Sequence, residues 1–223
     1  MSLLELRKLT REYERGGRTF KAVNCADLSI EPGDFISIIG RSGSGKSTLL
    51  NMSAGLIEPT DGDVLFDGVD IHLLNDNEIS LFRNEKIGYV PQGQSLLSNY
   101  TVLENVCLPW FLSKREGDPV EQALALLEKT GIKYLANSYP KELSGGEMRR
   151  TAIARSLINK PALLIADEPT GDLDVETTAE IMQVLAAIAK EGTAVLIVTH
   201  ELDTISYGNK TYKMDNGKLS VYP

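Results

Sequence analysis

Cysteine is nearly missing from this chain. Only Cys25 and Cys107 are present, and their spacing fits neither a disulfide framework nor a zinc site, so a reducing, cytoplasmic setting is expected. Positive charge is also in deficit. Lys and Arg number 23 against 31 Asp and Glu, which leaves a net charge of −8. No basic block interrupts the acidic balance, so duplex nucleic acid and an anionic membrane surface are poor direct partners. Long apolar runs are absent as well. The longest, such as Phe35–Ile39 and Ala162–Ala166, have strand length and fall far short of the ~20 residues that cross a bilayer. No direct membrane insertion is expected, and any work at a membrane needs a separate spanning subunit. Met1–Lys8 is too charged for a signal peptide. No internal repeat or low-complexity linker is found.

What remains is ordinary globular material. The 223 residues are 42% hydrophobic and 24% charged, enough to bury a real core as one domain over 1–223.

The organising stretch is Gly40–Ser47, which fits the phosphate-binding pattern G-x-x-x-x-G-K-[ST]. Phe35–Ile39 before it reads as a buried strand, and Lys46–Ala54 after it reads as a helix. Gly40, Gly43 and Gly45 let the backbone close around phosphate oxygens, while Arg41, Ser42, Ser44 and Thr48 complete the loop and helix start. Lys46 is expected on the β- and γ-phosphates and Ser47 on Mg²⁺. The ligand is therefore a nucleoside triphosphate.

In chain order, residues 3–13 and 20–30 predict an antiparallel hairpin about the Arg15–Arg18 turn. Tyr13 lies just before that turn, where it can stack on a base or simply sit on a surface strand. A strand at Asp63–Phe66, a helix at Asn77–Phe82 and a strand at Lys86–Val90 follow, and the last delivers Gln92 towards a ligand. Thr101 and Asp118 both predict capped helix starts, each with a Glu three residues on. Pro119 suits the first helical position after Asp118, and Gly131 stops that helix. Residues from about 93 to 157 are expected to form a helical insertion between core segments at about 1–92 and 158–223. After Pro161, strand–helix alternation returns: Ala162–Ala166, a helix facing inward through Ile181, Val184, Leu185 and Ile188, then Ala194–Val198. A hairpin turning at Asn216-Gly217 closes the pattern. Such interleaving implies an α/β fold with a mainly parallel sheet.

Three further stretches carry chemistry. Leu163–Glu168 is an apolar strand ending in two carboxylates, which can be solvent caps. Downstream of a phosphate loop they read as Asp167 on the metal and Glu168 as general base. Leu143–Glu147 reads as a capping box from Ser144 to Glu147. Gly145 and Gly146 in its first turn disfavour a helix by about 1 kcal/mol each, which makes sense if a second phosphate approaches the backbone. His200 ends a strand and can donate to a phosphate; His72, in a polar stretch, is read as structural. Leu108–Leu112, with the single Trp110, suits either a docking groove or a helical core.

Together these stretches resemble the nucleotide-binding subunit of an ABC transporter from end to end. Leu143–Glu147 is similar to the family's signature motif, with Glu147 in place of the common glutamine. The resemblance implies a RecA-like P-loop core with an N-terminal antiparallel β subdomain and an inserted helical subdomain. It further implies Tyr13 on adenine, Gln92 in the Q-loop with a part in catalysis and metal binding, Glu168 as catalytic carboxylate and His200 as switch histidine. Gly171–Asp174 resembles the D-loop, so Asp174 joins the nucleotide-facing set. ATP and Mg²⁺ are the implied ligands. The implied partners are a second copy, head to tail across two ATP molecules, and a membrane permease that holds the subunit on the inner face of the membrane. Ser144–Glu147 of one copy then closes over ATP on Lys46 of the other. As a carboxylate near phosphates, Glu147 is repulsive unless it turns back to cap its helix. The Ala166–Asp174 and Thr101–Val106 stretches are similar to the lipoprotein-release, macrolide-export and antimicrobial-peptide-export group. That group extends to a cell-division complex that transmits force, so transport and mechanical signalling both stay open. A soluble ABC ATPase on nucleic acid and a P-loop kinase fit less well, through the acidic balance and the Glu168–signature pair respectively.

Overall fold

The computed structural model describes residues 2–93, 95–113 and 115–223. Two long strands open the chain, β1 (Leu4–Arg15) and β2 (Arg18–Ile30). They reach to within two residues of each other because Gly16 and Gly17 adopt φ of 58° and 72°, the twist a two-residue hairpin requires. Their inward positions Leu4, Leu6, Leu9, Val23 and Ile30 are buried. Strand β3 (Phe35–Ile39) follows and is buried throughout. Helix α1 (Lys46–Ser53) springs from the glycine-rich loop after it. Strand β4 (Asp61–Phe66) begins two residues before its predicted start, and a two-residue β5 (Val69–Asp70) adds an unpredicted edge. β2, β1, β4 and β5 form one antiparallel sheet in that order.

Helix α2 (Asp76–Lys86) is longer than predicted at both ends, so Lys86 is helical and strand β6 starts one residue later (Ile87–Val90). The earlier start is set at Asn75, whose side chain accepts from Asn77 and Glu78 N–H groups in a full capping box. Helices α3 (Val102–Leu112), α4 (Val120–Lys129) and α5 (Gly145–Leu157) come next. The capping boxes at Thr101 and Ser144 form as predicted. The one at Asp118 does not. Pro119 is already helical in backbone angle and takes the cap position, and Asp118 accepts only the Val120 N–H, at 3.0 Å. Val106, Leu127 and Ile158 belong to one apolar cluster shared by α3, α4 and the end of α5. Trp110 packs against that cluster, while Leu112 is exposed.

The remaining elements are β7 (Leu163–Asp167), α6 (Val175–Lys190), β8 (Ala194–Thr199), β9 (Lys210–Asp215) and β10 (Lys218–Val221). A 3-10 segment, Leu202–Tyr207, precedes β9 without any periodic signal in the sequence. The second sheet runs β10-β9-β3-β8-β7-β6. It is parallel from β9 to β6, with β10 folded back antiparallel. One apolar cluster joins its α1 side to the antiparallel sheet; another fills the side covered by α5 and α6. Each fully buried Ile or Leu in these layers contributes about 1.5–3 kcal/mol.

Register decides where function can sit. Ile39 lies beside Thr199, Asp167 beside Val198, and Val90 beside Ala166. Four parallel strands therefore end at one level, and the residues that follow them converge at the carboxyl edge of the sheet, where open α/β sheets bind ligands.

Candidate active site

Steric contact dictates two glycines of the loop. A Cβ on Gly40 would stand 2.4 Å from the Met214 carbonyl, and one on Gly45 only 2.0 Å from the Ala22 carbonyl. Gly45 also has φ of 107° and gives α1 no side-chain cap, so the first-turn N–H groups are left for an anion. The loop is held from outside as well, by the Gly217 N–H on the Ser44 carbonyl at 3.0 Å. Lys46 is buried and folds back into the loop, donating to the Gly40 and Arg41 carbonyls at 2.8 and 3.1 Å. Ser44 Oγ is buried without a partner, and phosphate oxygen is the acceptor this cradle suits.

The cradle is the floor of a cleft of about 920 Å³. Tyr13, residues 41–48, Gln92, Glu168 and His200 all line it. Gly40 lies beneath, in contact with Lys46. The structure adds a wall that sequence reasoning missed, since Phe20, Asn216 and Gly217 also line the cleft. Phe20 is Tyr13's cross-strand partner, with ring centroids 5.9 Å apart, and the Arg11 guanidinium lies 4.9 Å from the Tyr13 ring. The hairpin register was the available signal for Phe20, once the turn was fixed at two residues.

Carboxylates close the far side. Glu168 takes φ of 48° just past β7. Gln92 Nε2 donates to Glu168 Oε2 at 2.9 Å, and His200 Nδ1 is 3.4 Å from Glu168 Oε1. Both oxygens are thus engaged by groups arriving from the ends of β6 and β8. Arg149 supports this arrangement by donating to the Pro91 carbonyl at 2.8 Å. Asp167 is buried beside Ser47 and Lys46. Burial raises its carboxyl pKa, aided by Glu168, while a hydrogen bond from Ser47 and the charges of Lys46 and Arg149 pull it down. Among the described residues no group of three or more His, Cys, Asp or Glu could hold a metal unaided. Ser47, Asp167 and Gln92 supply oxygen donors only, a partial shell of the kind Mg²⁺ uses when phosphates and water complete it.

Five predicted residues are not brought into this cleft. Ser144, Gly145, Gly146 and Glu147 begin α5, and Asp174 begins α6. Asp174 accepts from the Thr177 N–H at 2.9 Å and hydroxyl at 2.7 Å, which hold its carboxyl below the usual range. Glu147 turns back, as capping requires: its Oε2 accepts the Ser144 N–H at 2.7 Å. Gly145 lines a neighbouring cleft of about 420 Å³ that shares Gln92, Glu168 and His200 with the first. Gly146 needs no phosphate to explain it. Its absent Cβ would meet Thr177 Cγ2 of α6 at 2.5 Å, so helix packing alone demands glycine there.

Comparison with known proteins agrees with this geometry. The ABC transporter family model matches residues 23–171. A lipoprotein-releasing system ATP-binding protein, LolD 2 of Chlorobaculum tepidum, is 42% identical over 98% of this chain and 92% of its own length. The LolD protein of Buchnera aphidicola is 41% identical over 97% of this chain and 96% of its own. Among solved structures, a dimeric bacterial ABC transporter cassette superposes with a TM-score of 0.90 at 38% identity, covering 97% of this chain and 96% of that one. A dimeric cassette in a post-hydrolysis state, bound to ADP and Pi, gives 0.88 at 35% identity over 98% of each chain. A cradle built for phosphate, relatives aligned over nearly its full length and a backbone shared with nucleotide-cleaving cassettes lead to one conclusion: this chain belongs to the ABC transporter family.

Proposed function

We propose that this ATPase works as a head-to-tail pair beneath a membrane-spanning subunit and drives release of a lipid-anchored protein from the membrane. The observation that carries the paired reading is the division of the phosphate-ready groups. The loop, Glu168 and His200 share one cleft, while the α5 helix start with its two glycines faces elsewhere and has an exposed Ser144 and Gly145. A second copy supplies that helix start to the first copy's triphosphate, and two shared ATP molecules close the dimer. The lipoprotein reading is supported by the names of the two curated relatives.

In this mechanism Tyr13, backed by Phe20, stacks on adenine. Loop N–H groups and Lys46 bind the β- and γ-phosphates, Lys46 exchanging its two carbonyl acceptors for phosphate oxygens. Ser47, Asp167 and Gln92 would hold Mg²⁺, which when bound would supply neutralisation of phosphate charge. Glu168 takes a proton from the attacking water, which adds to the γ-phosphorus as the bond to the β-phosphate oxygen breaks, giving ADP and phosphate. Gln92 and His200 hold the water and the departing phosphate in line. Loss of the bridging γ-phosphate then frees the pair.

The membrane subunit docks in a groove between α2 and α3 lined by Leu56, Leu81, Leu112 and Tyr89. The first three are about half exposed or more, at 50%, 49% and 68%, which is unusual for apolar side chains gathered in one groove. Tyr89 belongs to β6, which ends at Val90 two residues before Gln92, so a docked segment touches the strand that leads to a catalytic side chain. The test is reconstitution of the subunit with its co-purifying membrane partner in proteoliposomes bearing a triacylated protein. ATP should release that protein to an acceptor. A complex that hydrolyses ATP and moves only small solutes would overturn the lipoprotein reading.

A further inference from the structure

Glu147 places a negative charge in the first turn of α5, where an approaching triphosphate would be repelled. Its two oxygens have separate partners. Oε2 accepts the Ser144 backbone N–H at 2.7 Å, and Oε1 accepts the hydroxyl of Tyr134 at 3.0 Å. Tyr134 comes from a different element, the single 3-10 turn Lys133–Leu135. The Glu147 N–H reaches back to Ser144 Oγ at 3.3 Å, and the Arg150 guanidinium adds an attractive field from one turn further on. The Ser144 side chain also hydrogen-bonds the Glu147 carboxylate and helps hold its pKa down, while among the described residues the N–H groups of Gly145 and Gly146 meet no protein acceptor.

We propose that Tyr134 is a positioning residue for the paired reaction: it pins the Glu147 carboxylate to the flank of α5 and so lets the partner's triphosphate approach Ser144, Gly145 and Gly146. This rests on the paired reading above. Tyr134 touches no nucleotide; it acts through Glu147. A hydroxyl that donates to a carboxylate disperses its charge and fixes its rotamer, and both effects vanish when the hydroxyl is removed. The tyrosine ring is 74% exposed, so water competes for the bond and the effect is moderate rather than absolute.

The experiment measures ATP-dependent dimerisation by analytical ultracentrifugation in four chains. All carry Glu168→Gln to stop turnover; they differ by Tyr134→Phe, Glu147→Gln, both or neither. Tyr134→Phe should weaken the ATP-bound dimer about fivefold, the size of an ordinary net hydrogen bond in competition with water, while binding of a fluorescent ATP analogue to the monomer is unchanged. In the Glu147→Gln background the same change should do nothing, because the charge to be restrained is gone. Equal weakening in both backgrounds would mean that Tyr134 only supports the fold, and no weakening in either would mean that it has no part; both results overturn the proposal and leave the paired reading intact. Absence of any dimer in the parent chain with ATP would overturn both together.

Discussion

Asp167 sits where burial works against its charge. Its carboxyl pKa is raised by desolvation first, against the pull of Ser47, Lys46 and Arg149. The folded chain therefore holds a proton that the unfolded chain has already released between the ordinary aspartate value and the raised one. Stability from the protonated form is full below the unfolded pKa and is lost as pH rises through the folded pKa. Asp167→Asn should consequently raise the nucleotide-free melting temperature at neutral pH, with a much smaller gain in acid, while turnover is lost. Differential scanning calorimetry across pH checks this, and an unchanged or lower Tm at pH 7 contradicts the burial argument. Glu168 is the complementary case, with both oxygens engaged by Gln92 and His200. Glu168→Gln should keep nucleotide affinity and lower phosphate release by about 10²–10⁴-fold; near-normal release would remove Glu168 from the role of base.

At the scale of elements, the contact between α5 and α6 turns on one missing methyl. Gly146→Ala places a Cβ 2.5 Å from Thr177 Cγ2, and overpacking of this kind costs about 1–3 kcal/mol. Thr177→Ser removes that methyl yet keeps the hydroxyl that bonds Asp174, so the double variant should recover most of the loss in a urea melt. A double variant no more stable than Gly146→Ala would disprove the packing account. The sequence suggested a phosphate for both glycines because the partner of Gly146 is a side chain on a distant helix, invisible to local spacing. Local patterns were legible for the opposite reason. The phosphate loop and the capping boxes at Thr101 and Ser144 involve only neighbours in the chain, so residue type and spacing specify them. The Asn75–Glu78 box obeys the same rule, yet the predicted helix began beyond it. At Asp118, Pro119 takes helical angles as its position suggests, but the reciprocal box does not close and Asp118 reaches only the Val120 N–H. Phe20 was missed because it reaches the cleft through a cross-strand pairing, which depends on a register that the two-residue turn sets.

At the scale of the whole molecule, the candidate active site and the groove proposed for docking are joined by one short strand, β6, with Tyr89 on the groove and Gln92 beyond its end. Tyr89 also donates to Asn51 of α1 at 2.8 Å, which ties the groove to the helix carrying Lys46. Leu112→Glu, on an exposed side chain of the groove, should reduce recovery of the membrane subunit in a pull-down by tenfold or more, an effect of about 1.4 kcal/mol. ATP turnover by the isolated subunit should stay normal. Full recovery of the membrane subunit would exclude this groove as the docking site. The phosphate cradle has a further dependence on chain order. It is wedged between the Ala22 carbonyl of an early strand and the Met214 carbonyl and Gly217 amide of the last hairpin. During synthesis the loop therefore leaves the ribosome long before its outer brace exists. Until β9 and β10 have emerged, a nascent chain lacks the Met214 and Gly217 side of that brace.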